Sequence, residues 1–291
     1  MSALVEPAAL LREIQSGPAP LLLDVRWTLA GSDRAGYEAG HLPDAVFCDL
    51  DTDLADPPGA GGRHPLPSRE RLAESFRRLG VAPGTSVVVY DGGVAAAAAR
   101  AWWCLRWVGH TDVRVLDGGL PAWLAAGGPL ESGDVPPSPV ENEPDDATPP
   151  PAVGHSSREH DDAAQPPAVV DAEDLPDRPG VLLDARSPER FRGDSEPVDP
   201  VAGHIPGARS LPAATLLDQH GRYLPVAALR ELFASAGAEA GTPVAAYCGS
   251  GVTAAQVVLA AHEAGIAAAL YPGSWSHWIT DPDRPVATGP A

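Results

Sequence analysis

One cysteine in this sequence is placed where sulfur chemistry is feasible. Residues 245–256, AAYCGSGVTAAQ, set Cys248 between a short apolar run and an alanine-rich helical pattern, with Gly249 and Gly251 flanking Ser250. A thiolate is stabilised by inward-pointing backbone N–H groups and by the positive end of a following helix. Gly249 and Gly251 permit positive φ and close backbone approach, Ser250 offers a hydroxyl, and residues 252–265 supply the helix. The alternative is a small buried core residue beside an ordinary turn, the usual station of a lone cysteine. The Gly-Ser-Gly run at a strand end favours a reactive thiolate. Cys48, on an extended segment, and Cys104, in AWWCLRW, have no such loop and read as core.

The elements around that loop read as α/β. Short apolar runs at 21–25, 87–90, 113–116, 181–184, 244–247 and 267–271 alternate with helical patterns, as strands buried on both faces of a parallel sheet do. SRERLAESFRRLG (68–80) and VAALRELFASAG (226–237) place apolar residues at helical spacing and stop at glycine. In open parallel sheets ligands sit at the carboxyl ends of the strands, and both Asp91 and Cys248 fall at such an end.

The chain repeats itself. LLLDVRW (21–27) matches VLLDARS (181–187), and AGHLPDAVFCDL (39–50) matches AGHIPGARSLPA (202–213). SVVVYDGG (86–93) matches PVAAYCGSG (243–251), and VLDGGLPAW (115–123) answers ALYPGSWSHW (269–278). Four segments in one order, about 155 to 163 residues apart, predict a domain built twice. Residues 1–130 form the first unit and 168–291 the second; 131–167, rich in proline and acid, read as a linker. Aspartate stands at position 91 where the second unit has Cys248, so the first unit lacks the nucleophile and its task is to wall the cleft.

Composition narrows the partners. The net charge is −19 and all 20 basic residues are arginine, which argues against nucleic-acid or anionic-membrane surfaces and leaves room for a local pocket for a small anion. No basic-then-apolar leader opens the chain, and no run of about 18 residues is free of polar breaks, so a cytoplasmic protein is expected. Three scattered cysteines give neither a disulfide framework nor a zinc site.

Taken together, the tandem DxR, GHIPGA, CGSGVTA and GSWxxW order resembles the two-domain rhodanese family, across nearly the whole chain outside the linker. The wording CGSGVTA is most like the 3-mercaptopyruvate sulfurtransferase branch; the thiosulfate branch carries an Arg-Lys pair where Gly249 and Ser250 stand. The resemblance implies two tandem α/β domains, each a mainly parallel sheet flanked by helices. It also implies a sulfurtransferase in which the Cys248 thiolate takes sulfur from a small-molecule donor as a persulfide. A small thiol, reduced thioredoxin or cyanide then removes the outer sulfur, with no metal or organic cofactor. The thiosulfate sulfurtransferase reading is the alternative, and a non-catalytic sulfur-carrier or docking module the more distant one. A cysteine-loop phosphatase is excluded, because the C-x5-R pattern would need arginine where Ala254 stands.

The same resemblance assigns the remaining roles. The backbone of Gly249, Gly251, Val252 and Thr253 surrounds the donor sulfur, and Arg190 holds the donor carboxylate. A second family arginine falls at Asp199, so either a neighbour such as Arg192 substitutes or the donor preference differs. Ser250 either relays a proton to the leaving group or merely closes the loop. His41, with Asp33, matches a histidine that would join such a relay, although His204 at the same repeat position favours a shared structural role. Asp24 with Arg26, and Asp184 with Arg186, recur in both units and read as fold-supporting ion pairs; Trp275 either lines the cleft or packs the core.

Overall fold

A computed structural model describes residues 2–138, 140, 166–239 and 241–290. The first unit runs β1 (Leu4–Val5), α1 (Pro7–Ser16), β2 (Leu21–Asp24), a hairpin of β3 (Trp27–Thr28) and β4 (Gly31–Ser32), α2 (Arg34–Ala39), β5 (Val46–Phe47) and α3 (Leu50–Asp53). It continues through α4 (Arg69–Arg78), β6 (Val87–Tyr90), α5 (Ala96–Trp107), β7 (Val113–Leu116) and α6 (Gly119–Ala125). The second unit has β8 (Val181–Asp184), α7 (Pro188–Arg192), β9 (Arg209–Ser210), α8 (Val226–Ser235), β10 (Val244–Tyr247), α9 (Val252–Ala264), β11 (Ala268–Leu270) and α10 (Ser274–Trp278).

Both main sheets are parallel throughout, in the orders β1-β7-β6-β2-β5 and β11-β10-β8-β9. A parallel bridge from Val169 to Leu270 takes in the second unit the edge position of β1. The repeat therefore extends to strand order and register, since Asp24 pairs with Tyr90 and Asp184 with Tyr247. The central strands β6 and β10 are buried at all four positions, which is why they read as continuous apolar runs. Strands β1, β5 and β9 are two residues each, too short to show a period in sequence.

Local chemistry fixes the helices. Ser68 accepts the Arg71 N–H at 3.2 Å, a cap contributing about 1 kcal/mol, and α4 ends just before Gly80, at φ +93°. Helix α9 likewise ends against Gly265, at φ +75°. The Asp24–Arg26 and Asp184–Arg186 pairs are buried at 2.7 and 2.6 Å, and Arg186 also donates to the Gly203 carbonyl at 2.7 Å, tying each strand end to the glycine-histidine loop beside it. Removing one partner of such a pair strands a buried charge, at a cost of about 3–5 kcal/mol.

Helices α5 and α9, each leaving the loop after a central strand, pack on one another and join the two apolar cores. Of the linker expected at 131–167, residues 141–165 lie outside the described residues. Glu131 exchanges backbone hydrogen bonds with His41, and the Val135 N–H donates to the Tyr37 hydroxyl at 3.0 Å, so this stretch packs on the first unit. Among the described residues no helix is long and apolar enough to cross a membrane.

Candidate active site

Strand β10 delivers Cys248 to the carboxyl edge of the second sheet, and the chain turns through Gly249, Ser250 and Gly251 into α9. Gly251 has φ +81°, and a β-carbon there would run into the Pro272 carbonyl, so only glycine fits. Its N–H donates to the Cys248 Sγ at 3.2 Å, and the 13-residue α9 begins at the next residue, so negative charge on the sulfur meets both a donor and a helix N-terminus. Val252 and Thr253 are the first residues of that helix. The loop is pinned from behind, because the Cys248 N–H donates to Ser274 Oγ and the N–H groups of Trp275 and Ser276 donate to the carbonyls of Cys248 and Gly249. Cys48 and Cys104 are fully buried, and burial pushes both thiols up in pKa, so the neutral form is kept.

Ser250 finds a partner from the other unit. Its Oγ lies 2.8 Å from His64 Nδ1, and His64 Nε2 stands 3.4 Å from Asp51 Oδ1. Asp51, in α3, is itself fixed by the Trp27 indole N–H and the Ser32 backbone N–H, each at 3.0 Å. An Nε2–H directed at Asp51 leaves Nδ1 as the acceptor for the serine hydroxyl. Burial holds the imidazole neutral, lowering its pKa to about 4; Asp51 pulls the other way, while Arg100 and Arg63 reinforce the burial. Arg100 is fully buried in α5 and donates to the Gly251 and Leu54 carbonyls at 3.5 and 3.3 Å.

An NMR titration of the His64 ring is therefore expected to show a midpoint near pH 4, with no transition near 6.5. The folded chain refuses a proton that the unfolded chain accepts, so His64 makes stability fall as pH drops from about 6.5 to about 4. A midpoint at or above 6.5 would contradict the neutral histidine.

His41 and Asp33 stand elsewhere. The His41 ring stacks on Tyr37 at 4.4 Å and faces the Leu42 and Gly133 carbonyls at 2.8 and 3.1 Å. His204 stacks on Phe191 at 3.8 Å and faces the Phe191 carbonyl, the same packing role in the other unit. Asp33 caps α2 through the Gly36 N–H. Neither residue meets Ser250, whose hydroxyl partner is His64, a residue the sequence reading passed over.

The arginines also sort differently from expectation. Arg190 stands beside the loop, its Nη2 3.5 Å from where a Gly249 β-carbon would be, but it already bonds Glu196 at 2.8 Å and Asp199 at 3.0 Å. Arg192 turns outward to Asp194 and Glu189. Arg63, from the first unit, bonds Asp199 through Nη1. Trp275 is fully buried beneath Arg186, whose guanidinium carbon lies 4.6 Å from its ring centre, and it packs rather than lines the cleft.

A cleft of about 620 Å³ opens between the units in front of Ser250, with Trp27, Leu29, Arg63 and His64 on one wall and Val198 on the other. The equivalent strand end of the first unit is closed. Asp91 accepts the N–H groups of Gly93, Ala95 and Ala98 at 2.8, 3.1 and 3.2 Å, so its own carboxylate fills the cradle.

A rhodanese-like domain model matches residues 6–126 and 168–281. SseB of Mycobacterium tuberculosis, whose name provisionally assigns thiosulfate sulfurtransferase, is 46% identical over 291 residues, covering 99% of this chain and 98% of its own. Human 3-mercaptopyruvate sulfurtransferase is 37% identical over 282 residues, covering 93% and 89%. The crystal structure of SseA from Escherichia coli, described as a 3-mercaptopyruvate sulfotransferase, superimposes with a TM-score of 0.75 at 31% identity, covering 95% of this chain and all of that one.

Proposed function

Since the chain belongs to the rhodanese family and is a sulfurtransferase of two rhodanese-like domains, we propose that its donor is 3-mercaptopyruvate and that sulfur passes through a Cys248 persulfide. The Cys248 thiolate attacks the donor sulfur, an S–S bond forms and the C–S bond breaks. The electrons of that bond leave as the enolate of pyruvate. The thiol proton of the donor passes by way of Ser250 and His64 to the methylene carbon, giving pyruvate and an anionic persulfide, so atoms and charge balance. Donor N–H groups that favour the thiolate also favour the persulfide. A small thiol, reduced thioredoxin or cyanide then takes the outer sulfur.

The observation that carries this reading is the 2.8 Å contact between Ser250 and neutral His64, backed by Asp51, beside a loop with no cationic side chain. An enolate leaving group needs a proton, whereas sulfite leaves from thiosulfate without one. A compact dianion would also favour cationic residues at positions 249 and 250, where glycine and serine stand. The thiosulfate reading draws its support from the name of the mycobacterial relative. Side-by-side kinetics decide between them: kcat/KM for 3-mercaptopyruvate is expected to exceed that for thiosulfate by about tenfold or more, a difference of about 1.4 kcal/mol in transition-state stabilisation. The reverse ranking would overturn the assignment.

A further inference from the structure

Among the charged groups near Cys248, one has no counter-charge. Arg186, Arg190 and Arg63 share three carboxylates, those of Asp184, Glu196 and Asp199, so that network is neutral as a whole. Arg100 reaches the cysteine loop from α5, fully buried and apart from the residues that line the cleft. Among the described residues no carboxylate pairs with it. Its Nη1 and Nη2 donate to the carbonyls of Gly251 and Leu54 at 3.5 and 3.3 Å, both long contacts, and its Nε finds no acceptor. Burying a guanidinium is strongly unfavourable unless an anion answers it.

The repeat offers a neutral comparison. Ala95, at φ +59°, and Gly251, at φ +81°, are the left-handed residues that open α5 and α9, and five residues beyond them stand Arg100 and Gln256. Gln256 is also buried, and its Nε2 donates to the Ala213 carbonyl at 3.4 Å. A neutral amide thus serves in one helix where the other keeps a cation. The second arm of Arg100 crosses the domain boundary to Gly251, the residue whose own N–H donates to Cys248 Sγ. Of the two matching strand ends, the charge is delivered to the one that carries a cysteine.

We infer that Arg100, supplied by the domain without that cysteine, is a positioning residue whose buried charge is the counter-charge of the anionic Cys248 sulfur, as thiolate and as persulfide. The inference rests on the reading of Cys248 as the nucleophile. A cation that water does not reach is screened little, so it acts on the sulfur more strongly than a solvated one at equal range. The other charged and titratable groups about the loop are Arg63 and Arg190 beside Gly249, His64 with Asp51 beyond Ser250, and Cys104 one turn along α5 from Arg100. Both of those arginines carry their carboxylates with them and burial keeps His64 neutral, so none supplies an unbalanced positive charge.

The test reads the thiol directly, by the rate at which iodoacetamide alkylates Cys248 across pH, with the alkylated residue located by peptide mass spectrometry. Arg100→Gln, the side chain that α9 already holds at the matching position, is expected to move the midpoint of that profile up by about one unit or more, slowing alkylation about tenfold on the acid side. The acid limb of the kcat/KM profile for 3-mercaptopyruvate is expected to move with it. Arg100→Met, which removes the donors as well as the charge, is expected to match Arg100→Gln. Tm of Arg100→Gln is expected to equal or exceed that of wild type, since an unpaired buried charge is removed. A midpoint unchanged in both variants, a shift in Arg100→Met alone, or a lowered Tm with the midpoint in place would overturn the inference. Alkylation needs no sulfur donor, so a shifted midpoint in a protein inactive with both 3-mercaptopyruvate and thiosulfate would leave the counter-charge standing and defeat the functional reading.

Discussion

Replacing Cys248 with serine is expected to abolish persulfide formation, whereas Cys48→Ser and Cys104→Ser each still gain one sulfur atom when treated with donor. The reason is positional. All three thiols are buried, but only Cys248 accepts a loop N–H and shortly precedes a 13-residue helix, two residues from Ser250 on the cleft wall. Cys48 and Cys104 have no such loop, and burial, the largest influence on each, keeps the thiol protonated. Serine at position 248 offers an alcohol that stays protonated and forms no S–S bond, so donor turnover is expected to fall by at least about a thousandfold. Intact-protein mass spectrometry after donor treatment checks it. An added sulfur on Cys48 or Cys104, or persistence of the full adduct in Cys248→Ser, would defeat the assignment.

Much of this architecture was legible because strand pattern and repeat reinforce one another. The apolar runs at 87–90 and 244–247 became the central strands, and their equivalence placed Asp91 and Cys248 at matching strand ends. The site was legible only where it is local. Cys248, Ser250 and the glycines are neighbours in sequence, whereas His64 and Arg63 come from a glycine-rich loop more than a hundred residues earlier that reaches Ser250 and Asp199 across the domain boundary. No period or propensity records such a contact.

A signal was nonetheless present. The segment GRHPLP at 62–67 answers GRYLP at 221–225, with His64 opposite Tyr223. Histidine in one unit only shows the same asymmetry as Cys248, whereas His41 and His204, kept in both, stack on Tyr37 and Phe191. The contacts are reciprocal as well. The 59–64 loop covers the cysteine loop, and Gly221 of the matching loop comes so near Gly93 that a β-carbon would strike its carbonyl. Each domain thus caps its neighbour's strand end, and only one of the two capped ends carries a cysteine.

That asymmetry makes the proposed relay separable from the proposed nucleophile. His64→Ala is expected to lower kcat with 3-mercaptopyruvate by about a hundredfold, the low end for loss of a positioned acid–base group, and to lower it with thiosulfate by less than about threefold. Sulfite is a stable anion when the S–S bond of thiosulfate breaks, so its departure needs no proton; the enolate of pyruvate does. Asp51→Asn keeps the imidazole but removes the charge that orients Nε2–H, and is expected to cost about tenfold with 3-mercaptopyruvate alone. Because Asp51 also holds the Trp27 indole and the Ser32 N–H, a structural role would depress both donors together. The donor ratio is therefore the discriminating readout. His41→Gln gives the contrast: loss of its stacking on Tyr37 and its carbonyl contacts is expected to lower Tm while leaving the ratio unchanged. Equal losses for both donors in His64→Ala, or a shifted ratio in His41→Gln, would return His64 to the scaffold and reopen the relay.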